Sequence, residues 1–235
     1  MGPRAVLRAL GQVGPLAAAA AFLPPVGAVL LLATINRSAA WLRAHDEMGL
    51  AIFIAGFALC GGLALLPTYT PSLIGGWAFG VGAGLAATLA GFLGASAIGF
   101  ALARRLSGDR LMSVLHEYPR GLAIHDALLG SGFWRALFVV ALVRLPPGSP
   151  FALANLLLGG SRVALVPFLI GTLIGLTPRA AGAVIVGAGL SSVDVAHPGR
   201  SGATLAWLAL TAGAVGAIGW MANRALRRLE VKADA

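Results

Sequence analysis

Residues 133–159 read FWRALFVVALVRLPPGSPFALANLLLG. An apolar arm, Phe133 to Leu145, runs into Pro146-Pro147-Gly148-Ser149-Pro150, and a short apolar return, Phe151 to Leu158, follows. As a helix at about 1.5 Å per residue, the return spans only about 12 Å. Hydrocarbon about 30 Å thick needs about 20 residues, so neither limb crosses it alone. The stretch reads as a re-entrant hairpin that enters, turns at its prolines and leaves on the same side. Proline removes backbone donors and strands carbonyls. At membrane depth such backbone is tolerated only where protein buries it or it lines a wet cavity.

Upstream the pattern recurs. Gly49 to Leu66 is an apolar arm, Pro67-Thr68-Tyr69-Thr70-Pro71 breaks it, and Ser72 to Phe79 is a short return. Pro67, Pro71 and Gly80 match Pro146, Pro150 and Gly159 at one constant offset, and these six, with Pro147 and Pro178, are the expected structural breaks. A long apolar run follows each hairpin: Gly80 to Ala103 after the first, Val163 to Leu190 after the second. Two repeats with broken segments in matching places predict a binding site near the bilayer midplane, between them.

The flanks complete an all-α integral membrane protein. Apolar residues make up 58% of the chain and charged ones 11%, against about 25% charged in soluble domains. Val13 to Ile35 is longer than the apolar part of a signal peptide, so it reads as a retained transmembrane helix, kinked at Pro24-Pro25. Residues 107–132, with leucines among charges, read as an amphipathic surface region, and 203–221 as a last spanning helix. Three parts result: residues 1–48 (first helix and connector), 49–190 (hairpins at about 49–79 and 133–158), and 191–235 (last helix and basic tail).

With the N-terminus in the cytoplasm, Arg104, Arg105, Arg135, Arg162 and the tail fall inside, while Arg37, Arg43 and Arg200 fall outside. That arrangement follows the positive-inside rule. It makes the hairpins enter from opposite sides, an inverted repeat, with both termini cytoplasmic. The excess of 17 Lys and Arg over 8 Asp and Glu is therefore assigned to anionic lipid headgroups, and no nucleic acid is expected.

Arg144 is the most informative residue, a permanent charge beside the second break. Placing it at depth costs about 2.5–3.5 kcal/mol. It either caps stranded carbonyls or contacts an anionic ligand. Arg179, beside Pro178 in the long run, either lines the same cavity or snorkels. Asn155 either caps a broken helix end or meets a headgroup. Thr68, Tyr69 and Thr70 offer hydroxyls at the first break, to local backbone or to a ligand. Gly76, Gly80 and Gly84, like Gly171 and Gly175, have the small-xxx-small spacing of close helix contacts. The chain is compatible with a homo-oligomer.

No acidic residue lies in an apolar run, the four histidines are peripheral, and Ser96 and Ser149 lack a nearby base. Cys60, the single cysteine, has no partner for a disulfide or zinc site and reads as a small buried residue. An enzyme, a metal site and a cofactor are not expected.

The stretch from Val143-Arg144-Leu145-Pro146 through Pro150-Phe151 to Asn155, with Gly159 and Arg162 beyond, resembles the signature of the DedA superfamily, also called VTT-domain or SNARE-associated Golgi proteins. Leu66-Pro67 through Gly75-Gly76 to Gly80, Phe100 to Arg104 and Gly175-Leu176-Thr177-Pro178 fit the same domain, so the resemblance covers about residues 50–190. It implies two opposed re-entrant hairpins in a bacterial inner membrane. The implied role is movement of phosphate-bearing lipid, by scrambling phospholipids or recycling polyprenyl-phosphate carriers. Arg144 corresponds to the family's membrane-embedded arginine, and Pro146, Pro150 and Asn155 to its turn residues. The acidic residues of DedA proper are absent around the first break, which indicates a divergent branch. A small-solute or inorganic-anion transporter and a non-transporting scaffold are the other readings.

Overall fold

A computed structural model describes residues 34–106, 132–146, 151–161 and 163–191, with Val26 and Gly213 as single positions. The expected helices at 13–35 and 203–221, the amphipathic stretch up to residue 131, Pro147, Pro150, Arg162 and the basic tail lie outside the described residues. Among the described residues there are six helices and no strand. They are α1 (Ile35–Ala44), α2 (Asp46–Gly62), α3 (Tyr69–Leu106), α4 (Phe133–Arg144), α5 (Phe151–Gly160) and α6 (Leu165–Ser191).

Two helical stretches, the part of α3 beyond Gly80 up to Arg105 and α6, are long and apolar enough to cross a bilayer. Their outward sides are apolar. Val166, Ile170 and Ile174 form one exposed stripe on α6, and Trp134, Phe138 and Leu142 another on α4, with Trp134 70% and Phe138 65% exposed. Apolar stripes of this kind mark a surface that meets lipid or another protein.

Each helix ends for a local reason. α2 closes on a Schellman arrangement: the Leu65 N–H donates to the Cys60 carbonyl and the Ala64 N–H to that of Gly61. This pairs two of the carbonyls that a helix end leaves open. It puts Ala64 at φ 59, a left-handed conformation usually given to glycine. α3 is two helices joined at Gly80, whose φ of 73 and ψ of −171 are not helical. Residues 69–79 fold back along residues 81–106 there, and a Cβ on Gly84 would lie 2.5 Å from the Gly75 carbonyl oxygen.

Three expected breaks differ from the structure. Pro71 lies inside the first turn of α3, where a missing N–H costs nothing because that N–H has no helical acceptor; the break is confined to residues 63–68. Pro178 does not interrupt α6, which is helical on both sides of it. Gly159 lies within α5 as a contact point, where a Cβ would meet Ala103 Cβ at 2.8 Å and the Phe100 carbonyl oxygen at 3.0 Å.

The two long helices pack antiparallel, Phe100 against Phe168 near one end and Phe92 near Arg179 further along. α4 runs along α6, with Leu137 and Val140 at Gly171 and Ala141 and Arg144 at Gly175. α2 runs along residues 81–106, with Phe57 at Gly91 and Gly61 at Ala95. The short helices cross over. α5 packs on α3 through Asn155 at Gly99, and residues 69–79 pack on α6, with Gly76 at Val184 and Gly187 at Leu73. The core forms as two clusters, one around Phe53, Phe57, Ile74 and Phe92, the other around Phe100, Val140, Leu158 and Phe168.

Candidate functional site

Both breaks meet the middle of α6. Arg144, the last residue of α4, is held against Gly175, where a Cβ would sit 2.6 Å from that of Arg144. One turn further along the same side of α6, Arg179 Nη2 donates to Thr68 Oγ1 in the first break at 3.3 Å. Arg144 and Arg179 are 1% and 5% exposed. Two cations are thus buried at neighbouring turns of α6. Residues 48–106 and 132–191 contain no Asp or Glu to neutralise them.

Arg144 bridges its own break. Nη2 donates to Asn155 Oδ1, and Nη1 donates weakly to the Phe151 carbonyl at 3.4 Å. The guanidinium also lies over the rings of Phe151 at 4.8 Å and Phe168 at 5.6 Å. Such cation–ring contacts are worth about 0.5–2 kcal/mol each. Arg179 lies over Tyr69 at 5.4 Å and Phe92 at 6.0 Å, and the Tyr69 side chain is also in hydrogen-bonding contact with it.

These contacts use only some of the donors. A guanidinium has five N–H groups, and the Nε of both arginines is buried without a hydrogen-bond partner among the described residues. Asn155 Nδ2, Ser96 Oγ, Thr88 Oγ1 and Thr172 Oγ1 are in the same state. Thr88, Phe92, Ser96 and Gly99 share one stripe of α3, and Thr172 and Arg179 share one of α6, by helical periodicity. Buried polar groups without partners are rare and costly, and here they are spread over the buried faces of α3 to α6, with Thr88 at Gly75 and Asn155 at Gly99.

The expected site residues therefore separate. Arg144, Asn155, Arg179, Thr68 and Tyr69 come together. Arg179 is enclosed and does not snorkel, because Gly175 and the first break leave it an interior place. Asn155 sits within α5 and accepts from Arg144, so it caps no helix end. Thr68 also turns its carbonyl to Ser72 Oγ at 2.9 Å, and Thr70 is buried with its N–H on the Pro67 carbonyl. Of the prolines, Pro67 and Pro146 flank the two breaks; the second also contains Pro147 and Pro150, outside the described residues. Among the described residues no group of His, Cys, Asp and Glu could hold a metal ion.

Sequence reasoning missed the rings. Phe92 and Phe151 lie 5.8 Å apart and connect the two guanidiniums, while Phe100 and Phe168, 4.6 Å apart, continue the series towards Arg104, which lies over Phe100 at 5.6 Å. Four phenylalanines scattered along three apolar runs carry no local signal. Only the i, i+4, i+7 placement of Phe92, Ser96 and Gly99 hinted at a shared side.

Among the described residues, an all-helical bundle with two helices long and apolar enough to cross a bilayer and two arginines buried at its centre fits a membrane protein. The family model for the VTT domain matches residues 66–189, more than half of the chain, and the protein belongs to that DedA/SNARE-associated family of membrane proteins, generally linked to membrane transport. No curated protein matches the chain. No solved structure matches it.

Proposed function

We propose that this protein is a lipid transporter or scramblase that passes an anionic, phosphate-bearing headgroup between leaflets, with Arg144 and Arg179 as the phosphate contacts. The observation that carries this reading is the buried arginine pair with spare N–H donors and, among the described residues of α3 to α6 around it, no carboxylate. A phosphate accepts from several guanidinium N–H groups at once and offsets the repulsion between the two charges. Asn155 Nδ2 and the hydroxyls of Ser96 and Thr172 are further donors along its route. A phospholipid and a polyprenyl phosphate share the required chemistry.

In this reading, α2 with residues 69–79 and α4 with α5 are two re-entrant hairpins of opposite orientation. Each arm is followed by a break, a short return and a long helix, in the same order. Both breaks sit near mid-height of α6, where an inverted-repeat transporter holds its substrate. Because both arginines are closed off, this conformation is an occluded one. Transport requires the hairpins to part so that the headgroup enters while the acyl chains stay in lipid. No bond is made or broken, so the protein is not an enzyme; its partners are membrane lipids. It resides in a bacterial inner membrane with both termini cytoplasmic.

The test is reconstitution into vesicles carrying fluorescent phosphatidylglycerol or phosphatidylcholine, with parallel vesicles assayed for inorganic phosphate uptake. Protein-dependent lipid flux supports the proposal. Phosphate uptake without lipid flux replaces it with an inorganic-anion transporter, and neither activity in a folded protein favours a scaffold.

A further inference from the structure

A groove of about 310 Å³ lies where residues 97–105 of α3 pass the start of α6, lined by Ala97, Phe100, Ala101, Arg104, Arg105 and Leu165. Its walls are apolar, and its charge comes from two exposed arginines at the end of a spanning helix. Phe100 forms its inner wall. That ring meets Phe168 at 4.6 Å, and Arg144 in turn lies over Phe168 at 5.6 Å. On the groove side, Arg104 covers Phe100 at 5.6 Å. The Phe100–Phe168 pair thus links the groove, ring to ring, to the buried arginine.

We propose that this groove is a binding site for an anionic membrane lipid, its phosphate held by Arg104 and Arg105 and one acyl chain lying against Ala97, Ala101 and Leu165, and that the Phe100–Phe168 pair is the gate between it and Arg144. The occupant follows from the chemistry of the walls. A free inorganic anion gains nothing from an apolar channel below the guanidiniums, whereas a phospholipid matches both parts. At a membrane surface each Arg also attracts anionic lipid. The gate clause rests on the transport reading above. The lipid site does not.

The experiment uses the full chain in nanodiscs, with Cys60→Ser and Leu102→Cys substitutions and an environment-sensitive fluorophore on the new thiol. Leu102 is exposed beside the groove without lining it. Brominated phosphatidylglycerol is expected to quench the label at a lower mole fraction than brominated phosphatidylcholine, by about fivefold for each arginine. The Arg104→Gln/Arg105→Gln variant is expected to lose that preference and to transport more slowly in vesicles poor in anionic lipid. Equal quenching by both lipids, or a preference that survives the double substitution, overturns the site. Displacement by millimolar inorganic phosphate overturns the lipid as its occupant. The two readings fail separately. An Arg144→Met variant that keeps normal flux removes the transport role and with it the gate but leaves the groove result standing, whereas normal flux in a variant without groove binding removes the gate alone and leaves both the groove site and the role of Arg144 standing.

Discussion

Replacing Arg144 by methionine separates an arginine that holds the break together from one that handles substrate. The substitution removes a charge whose place at depth costs about 2.5–3.5 kcal/mol. It also removes a hydrogen bond from a charged group to Asn155 Oδ1, worth about 1.5–3 kcal/mol, and two ring contacts of about 0.5–2 kcal/mol each. Methionine's flexible apolar side chain fills much of the space between Phe151 and Phe168. The opposing contributions cancel to within about 2 kcal/mol, so the variant folds with a melting temperature near the parent's. Arg144→Lys keeps the charge but loses the fork that reaches both Phe151 and Asn155. It leaves a buried cation poorly compensated, a loss of about 3–5 kcal/mol when a partner is removed, and is the less stable of the two. The assay pairs thermal unfolding in detergent, read by tryptophan fluorescence, with dithionite quenching of fluorescent phosphatidylglycerol in proteoliposomes. The expected result is a stable methionine variant with no flux and a less stable lysine variant with residual flux. Parent-like flux in the methionine variant would falsify the phosphate role. Collapse of the methionine variant with a stable lysine variant would reassign Arg144 to holding the break.

Two further outcomes test the frame around that site. Gly175→Val places side-chain atoms where Ala141 O and Arg144 Cβ already stand at 2.5 and 2.6 Å from an ideal Cβ; overpacking of this kind costs about 1–3 kcal/mol, and flux should fall with Arg144 intact because its guanidinium is moved. Parent-like flux and melting temperature would contradict the close approach. Ala64→Gly and Gly80→Ala should shift stability in opposite directions, each by about 1 kcal/mol, since Ala64 carries φ 59 and Gly80 φ 73 and a Cβ on Gly80 would touch nothing within 4 Å. A melting curve unchanged in both removes the left-handed conformations as the cause.

Much of this fold was legible because prolines and short apolar segments are local signals. The Pro146 break follows α4 within two residues of its end, and the short helices after both breaks come from segments too brief to span. The boundaries that differ have physical causes that spacing does not reveal. Pro71 falls where a helix needs no donor, and α6 continues past Pro178. Gly159 looks like a turn in the sequence and is instead a surface for Phe100 and Ala103. Arg144 and Asn155 were each readable as site residues because they lie in one broken segment, but the hydrogen bond between them was not. Arg179 was seen only as a charge at depth, since its partner Thr68 lies 111 residues away and only the packing of residues 69–79 on α6 brings them together. The phenylalanines between the arginines belong to different helices, and nothing local distinguishes them from ordinary core.

The most direct measurement is a cryo-EM map of the full chain in nanodiscs containing phosphatidylglycerol, compared with one in phosphatidylcholine lacking anionic lipid. Headgroup density is expected between the guanidiniums of Arg144 and Arg179, with the breaks at Pro67 and Pro146 on either side, and its loss is expected in Arg144→Met. A map in which both arginines stay packed on their own rings and hydrogen-bond partners, with lipid confined to the outside of the bundle under both conditions, would contradict it.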